Sequence, residues 1–251
     1  MLIEGRTPVV IKLNGIHEAG TTALREGTVK PFGGYGVELQ NRFNASLRYD
    51  DRSERAVRSV ILDEVQDVAQ KLGIQFLVAG NAAPEGYPIH TTILEGLYQE
   101  EDFEKRNLLL DTHSKIGLRT LPGLFFNDFR LSGLSWDLQF DAVLVDKGPV
   151  LLAATKIPQQ IIDIRGELFE LYTTFGLKPL PLDNLLHMTL ARMTKVVDPS
   201  RTDEYIERMK LLHQRVAENP LILQVSVMTR GSAYDMLHGI NSPFISHSDS
   251  N

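Results

Sequence analysis

The sequence contains no cysteine, no long apolar run and no excess of positive charge. Without cysteine, disulfides, thiol nucleophiles and thiolate metal sites are excluded. No stretch approaches the roughly 18 apolar residues of a membrane-spanning helix, so we expect no membrane association. The formal net charge of -6 argues against a protein that coats nucleic acid, because that binding depends on basic surface. A local positive pocket for one nucleotide or one RNA end remains compatible with this charge.

Several familiar site motifs are also missing. The sequence has no H-E-x-x-H, no G-x-S-x-G and no phosphate-binding loop that ends in Gly-Lys-Ser/Thr. The five histidines at positions 17, 113, 213, 238 and 247 have no partner at metal-ligand spacing. We therefore expect neither a metal nor a cofactor. The first residues lack the basic start and apolar core of a signal peptide, so a cytoplasmic location is the default expectation.

What the sequence does contain is one short pattern, His-x-Thr-apolar, that occurs twice. The first motif begins at His90 and the second at His187. Side chains two residues apart on a β-strand face the same side. We therefore predict that His90 and Thr92 point into one space, that His187 and Thr189 do the same, and that the intervening residues face the other way. Two such strands side by side would surround one small anionic group with two imidazoles and two hydroxyls.

A single match of this kind is more often a structural histidine on a strand, so the setting of each motif matters. The first motif follows a helix predicted over residues 51–72, in which apolar residues recur at helical spacing before Gly73. The second follows a helix predicted over 158–175, where Pro158 suits the first turn. A turn-rich connector separates helix and motif in both cases. The repeated setting favours a paired site over two unrelated structural histidines.

The remaining pattern predicts an α+β protein without a linker that would divide it. Strands are predicted at 9–11, 37–49, 74–78, 124–131, 135–145, 150–154 and 221–228, and further helices at 99–113 and from a Ser200 cap to 217. The segment that follows the first predicted strand, 14–28, is predicted to be a loop. We predict one bilobal domain over 1–251, with an N-terminal extension at 1–30, a core at about 31–230 and a loose tail at 242–251.

The two motifs resemble those of the 2H phosphoesterase superfamily. The second motif, HMTLAR, is similar to the bacterial RNA 2′-5′ ligase and cyclic phosphodiesterase proteins, and the first, HTTILEG, to an uncharacterised bacterial branch. The resemblance covers roughly residues 31–230, and its specific part is the two motifs and their spacing. It implies two small antiparallel sheets that face across a cleft, with one motif in each sheet and helices outside.

The chemistry that fits this arrangement is metal-independent opening of a cyclic phosphodiester or a 2′-5′-linked nucleotide or RNA end. His90 and His187 would divide the roles of general acid and base, and the residues do not decide which has which role. Thr92 and Thr189 would donate to the phosphoryl oxygens. The role of Arg192 is open between contact with a phosphate and a surface ion pair, because strict strand alternation places it on the face of the strand opposite to that of His187. The alternative function is a nucleotide- or RNA-end-binding module with little or no catalysis.

Overall fold

The computed structural model describes residues 2–32, 42–80, 89–97, 136–174, 178–179 and 185–232. Its elements in chain order are α1 (Pro8–Arg25), β1 (Arg42–Tyr49), α2 (Asp51–Val57), a π-helical segment (Arg58–Leu62), α3 (Asp63–Leu72), β2 (Gln75–Val78), β3 (His90–Leu97), β4 (Trp136–Phe140), β5 (Ala142–Val145), β6 (Pro149–Ala154), α4 (Gln159–Thr174), β7 (Lys178–Pro179), β8 (Leu186–Lys195), a 3-10 turn (Pro199–Arg201), α5 (Thr202–Glu218) and β9 (Leu221–Ser232). The predictions for 99–113, 124–131 and 242–251 lie outside the described residues.

These strands form two antiparallel sheets. The first sheet has the order β4-β9-β1-β3-β7, and the second has the order β2-β8-β6-β5. The first motif lies at the start of β3, and the second motif lies at the start of β8. The predicted α+β class with two antiparallel sheets is therefore confirmed, and each sheet carries one motif.

The helical run before the first motif begins and ends where the sequence predicts. The Asp50 carboxylate accepts a hydrogen bond of 2.7 Å from the Ser53 N–H, which caps the first turn of α2. Gly73 ends α3 with a φ of 70°, a left-handed conformation that costs glycine little. The π-helical turn between α2 and α3 was not predicted.

One main core lies against both sheets. It includes buried residues of β1 and β8 together with the apolar stripes of α3, α4 and α5. Apolar residues at helical spacing on the last two helices are buried: Ile161, Ile164, Leu168 and Tyr172 in α4, and Tyr205, Met209, Leu212 and Val216 in α5. Burial of these faces is the main force that holds the helices on the sheets.

The predicted strand at 9–11 and the predicted loop at 14–28 are wrong, because residues 9–11 and 14–25 belong to α1 and only 26–28 lie beyond its end. Thr7 caps this helix by accepting a hydrogen bond of 3.3 Å from the Val10 N–H, and Pro8 occupies its first turn. Val10 and Leu13 are buried three residues apart, as a helix requires. A short apolar run does not distinguish strand from helix by periodicity, whereas the Thr-Pro start is a helix signal that the prediction missed.

The predicted strand at 135–145 is two strands, one in each sheet. β4 pairs with β9 in the first sheet, while β5 pairs with β6 as a hairpin in the second. Asp141 separates them: its carboxylate accepts a hydrogen bond of 2.8 Å from the Thr155 N–H. The Asp141 N–H also donates a hydrogen bond of 3.1 Å to the Ala153 carbonyl oxygen, so both its backbone and its side chain are fixed where the chain crosses from one sheet to the other.

The start of α5 also differs from the prediction. The capping residue is Asp198 rather than Ser200, since the Asp198 carboxylate accepts a hydrogen bond of 2.9 Å from the Ser200 N–H. A 3-10 turn, Pro199–Arg201, then leads into the helix. An aspartate followed directly by a proline is a stronger signal for the start of a helix than the Ser200 cap, because the proline needs no hydrogen-bond partner at that position.

Candidate functional site

The first motif presents its histidine and second threonine on one face of β3. His90 and Thr92 are half-buried, whereas Thr91 and Ile93 are buried. The Thr91 hydroxyl lies 2.6 Å from the Tyr49 hydroxyl inside the protein. The adjacent threonines therefore have opposite surroundings, one in the core and one on the face of His90.

The second motif has the same arrangement on β8. His187 and Thr189 are half-buried, and Met188 and Leu190 are at most 1% exposed. The alternation of faces that the sequence predicts is present in both strands.

Each motif also ends in a β-bulge at the same position. In β3, Thr92 pairs with Ser46 and Leu94 pairs with Ala45, so Ile93 is the extra residue. In β8, the residues that pair with β6 are Thr189 and Ala191, so Leu190 is the extra residue. The bulged residue is thus the apolar one that follows the motif threonine in both strands. A bulge redirects the side chains that follow it, so the two motifs share this backbone feature as well as their residue types.

The bulge in β8 decides the direction of Arg192. Partners Pro149 and Leu151 lie on one face of β6, and they pair with Arg192 and Thr189 respectively. The extra residue therefore shifts the alternation by one and returns Arg192 to the face of His187. The Arg192 guanidinium carbon lies 5.3 Å from the centre of the Phe32 ring, within the range of a cation–π contact.

Arg48 and Ser46 are two further polar residues on the face of the first motif, and the sequence analysis missed them. Arg48 pairs with His90 across the sheet and Ser46 pairs with Thr92, and paired residues point the same way. Burial lowers the pKa of Arg48, and the charge of Glu54 opposes this effect. An arginine holds its positive charge despite such a shift. Strand register, rather than any local motif, brings Arg48 beside His90.

The second motif lies beside a small apolar cluster that includes the N-terminal segment. Ala153 and Leu151 pair with His187 and Thr189, so they share the motif face. Both belong to a cluster that also contains Ile3, Val10, Leu13, Ala142, Leu144 and Leu185. The segment predicted as an N-terminal extension therefore packs against the face that carries His187. The sequence offered no signal for this contact.

The two motif strands are close to each other although they belong to different sheets. Cα atoms of β3 and β8 approach within 8 Å. With Arg48 beside His90 and Arg192 on the face of His187, the motif face of each strand carries an imidazole, a hydroxyl and a guanidinium group. This is a set of groups that suits an anion such as a phosphodiester.

The described residues contain neither a metal-binding cluster nor a membrane-spanning helix. Among them, no group of three or more histidine, aspartate or glutamate side chains is placed to hold a metal ion. No helix in the described part of the chain is long and apolar enough to cross a membrane.

Comparison with known proteins finds similarity among solved structures. No family model matches the chain, and no match was found among curated proteins. The chain is similar to the structure of Kluyveromyces marxianus Usb1, with 13% sequence identity and a TM-score of 0.41. The similarity covers 77% of this chain and 95% of that chain.

Proposed function

We propose that this chain is a metal-independent phosphoesterase of the 2H type, which acts on a cyclic phosphodiester or a 2′-5′-linked nucleotide or RNA end. The observation that carries the proposal is the matched pair of motif strands. Each exposes a histidine and a threonine on one face, buries the residues between and after them, and bulges directly after the threonine. Two structural histidines would have no reason to share all of these features.

In the proposed reaction, His90 and His187 act on opposite sides of the phosphorus. One imidazole takes a proton from the attacking water while the other gives a proton to the leaving oxygen. Histidine suits both roles because its unperturbed pKa lies near neutral pH. The two imidazoles act as a pair, one as the base and the other as the acid.

The remaining groups would stabilise negative charge on the phosphoryl oxygens. Thr92 and Thr189 each lie two residues from a motif histidine on the same face and supply hydroxyl donors. Arg192, redirected by the bulge, would contact a phosphate, and Phe32 would hold its guanidinium plane. Arg48 would add positive charge beside His90.

The decisive experiment is hydrolysis of 2′,3′-cyclic nucleotides by the wild type and by His90→Ala and His187→Ala in EDTA. We expect activity in the wild type with a bell-shaped dependence on pH, and loss of at least about 100-fold in either variant. Phosphorus NMR would identify the product, and a panel of cyclic mononucleotides and 2′-5′ dinucleotides would define the substrate. Activity that survives both substitutions, or that needs added metal, would refute the proposal. Tight nucleotide binding without turnover on any of these substrates would instead favour the binding-module function.

Adjacent threonines in the first motif provide a matched control. Thr92→Val removes a proposed donor and should lower kcat about 100-fold. Thr91→Val makes the same chemical change one residue earlier, on the buried face, and should leave kcat within about threefold of the wild type. Equal losses in the two variants would contradict the assignment of Thr92 to the site.

A further inference from the structure

A buried arginine on α4 connects the two motif strands. Arg165 is 3% exposed, and its Nε donates a hydrogen bond of 2.9 Å to the Ile93 carbonyl oxygen. Its Nη2 donates a second hydrogen bond of 2.5 Å to the Leu185 carbonyl oxygen. Ile93 lies three residues after His90, and Leu185 lies two residues before His187. One side chain thus contacts the backbone of both motif segments.

The first of these acceptors is the bulged residue of β3. A bulge interrupts the ladder locally, so its backbone groups need partners from outside the ladder. The second bulge is supported in a comparable way, because the Leu190 carbonyl accepts a hydrogen bond of 2.8 Å from the Ala79 N–H. The difference is that Ala79 bonds within the second sheet, whereas Arg165 joins the first sheet to the chain that enters β8.

The chemistry of the guanidinium makes this link rigid. Its donors lie in a fixed planar fork, so the carbonyl oxygens of Ile93 and Leu185 are held within about 8 Å of each other. Burial of a charged group is costly, and an apolar side chain on the core-facing stripe of α4 would avoid that cost. Packing of α4 therefore does not require an arginine here, whereas a two-point connection between the strands does.

We infer that Arg165 is a positioning residue that sets the separation of His90 and His187. This inference rests on the proposed phosphoesterase function, which requires both imidazoles to reach one phosphate. Lysine at this position keeps the charge but offers a single point donor, which cannot reproduce the fork. Arg165→Lys should therefore loosen the link between the strands without removing any group that contacts substrate.

The first test is kinetic, with Arg165→Lys compared with Arg201→Lys. Arg201 also donates to a backbone carbonyl, that of Lys71, but it does so on the exposed surface outside both motifs. We expect Arg165→Lys to lower kcat about 10- to 100-fold, because a shift of about 1 Å between reacting groups has effects of this size. KM should change less than about threefold, and Arg201→Lys should leave both constants unchanged. Equal kinetics of Arg165→Lys and Arg201→Lys would overturn the inference.

The second test measures the separation of the strands without using activity. Because the chain has no cysteine, Gln139→Cys on β4 and Thr194→Cys on β8 introduce two specific spin-label sites, both exposed, one in each sheet. Pulsed electron–electron distance measurements should give a narrow distribution in the labelled parent. The distribution should broaden or shift when Arg165→Lys is added, and an unchanged distribution would overturn the inference.

Together the two tests separate this inference from the proposed function. If the wild type hydrolyses no phosphodiester, the proposed function fails, while the spin-label distances still decide whether Arg165 holds the strands. If the wild type is active and Arg165→Lys behaves like Arg201→Lys, the inference fails and the proposed function stands. Should Arg165→Lys not fold by circular dichroism, Arg165→Gln, which buries no charge and keeps a donor, replaces it in both tests with the same expectations.

Discussion

The buried pair formed by Tyr49 and Thr91 offers a sharp test of how β3 is oriented. The two hydroxyls lie 2.6 Å apart, Thr91 is 0% exposed and Tyr49 is 4% exposed. Burial raises the pKa of Tyr49, so its hydroxyl stays neutral at any ordinary pH. The pair is therefore a neutral hydrogen bond inside the core, directly behind the proposed catalytic face.

Removing either hydroxyl leaves the other one buried without its hydrogen-bond partner. Thr91→Val and Tyr49→Phe nearly preserve side-chain volume, and Phe keeps the edge-to-face contact of 6.2 Å with Phe140, so the cavity contribution is small. Each single change should lower the free energy of unfolding by about 1–3 kcal/mol, the cost of an unsatisfied buried polar group. The double variant should recover most of this loss, because no polar group is then left without a partner.

Urea unfolding followed by circular dichroism measures all four proteins of this cycle. For a chain of this size, 1 kcal/mol corresponds to about 2–4 °C in Tm, so calorimetry provides an independent reading. Losses that simply add in the double variant would refute the reasoning, since they would mean that Thr91 does not face Tyr49. In that case β3 would be turned over, and His90 would point into the core rather than away from it.

Three further predictions concern stability and substrate binding. Burial and nearby positive charge lower the pKa of His17 from 6.5 to about 4, and its imidazole accepts a hydrogen bond of 3.3 Å from the Val145 N–H. The neutral imidazole makes this bond, so its stabilisation of the fold is complete above pH 6.5 and is lost as the pH falls toward 4. Urea midpoints should show a loss of about 1–2 kcal/mol over this range, allowing for partial hydration of the ring, and the loss should be absent in His17→Gln. Gly20→Ala should unfold or strongly destabilise the protein, because the added Cβ would overlap the Val145 carbonyl. In the same helix, the Cβ added by Gly15→Ala meets nothing within 4 Å, so a thermal melt should show no change or a stabilisation of up to about 1 kcal/mol. Arg192→Met should raise KM for a cyclic nucleotide about 10- to 100-fold through loss of a charged hydrogen bond, and an unchanged KM would place Arg192 outside the site.

Local signals identified most of the elements that position the site. The Asp50 cap and Gly73 mark the limits of the first helical run, and the apolar spacing of α4 identifies its buried face. These features depend on residues a few positions apart, so a sequence displays them directly. Where two local signals conflicted, at the start of α1, the Thr-Pro cap was the correct one and the apolar triplet was misleading.

Features that depend on distant partners were beyond such reasoning. An apparently continuous strand is divided at Asp141 because β4 pairs with β9 and β5 pairs with β6, and nothing near Asp141 in the sequence shows these partners. Arg48 comes beside His90 through the register of two strands more than forty residues apart. Register is set by side chains across the whole sheet, so the neighbours of a strand cannot be read from the strand.

For the two motifs, the residue pattern was sufficient to predict strands with His and Thr on one face and the intervening residues on the other, because alternation is a property of the extended backbone. The folded structure decided the rest. It added a bulge after each threonine, which turned Arg192 toward the face of His187, and it placed the two strands in separate sheets within reach of one buried arginine. Bulges and bridges between sheets arise from pairing and packing between distant segments, and only the tertiary structure brings those segments together.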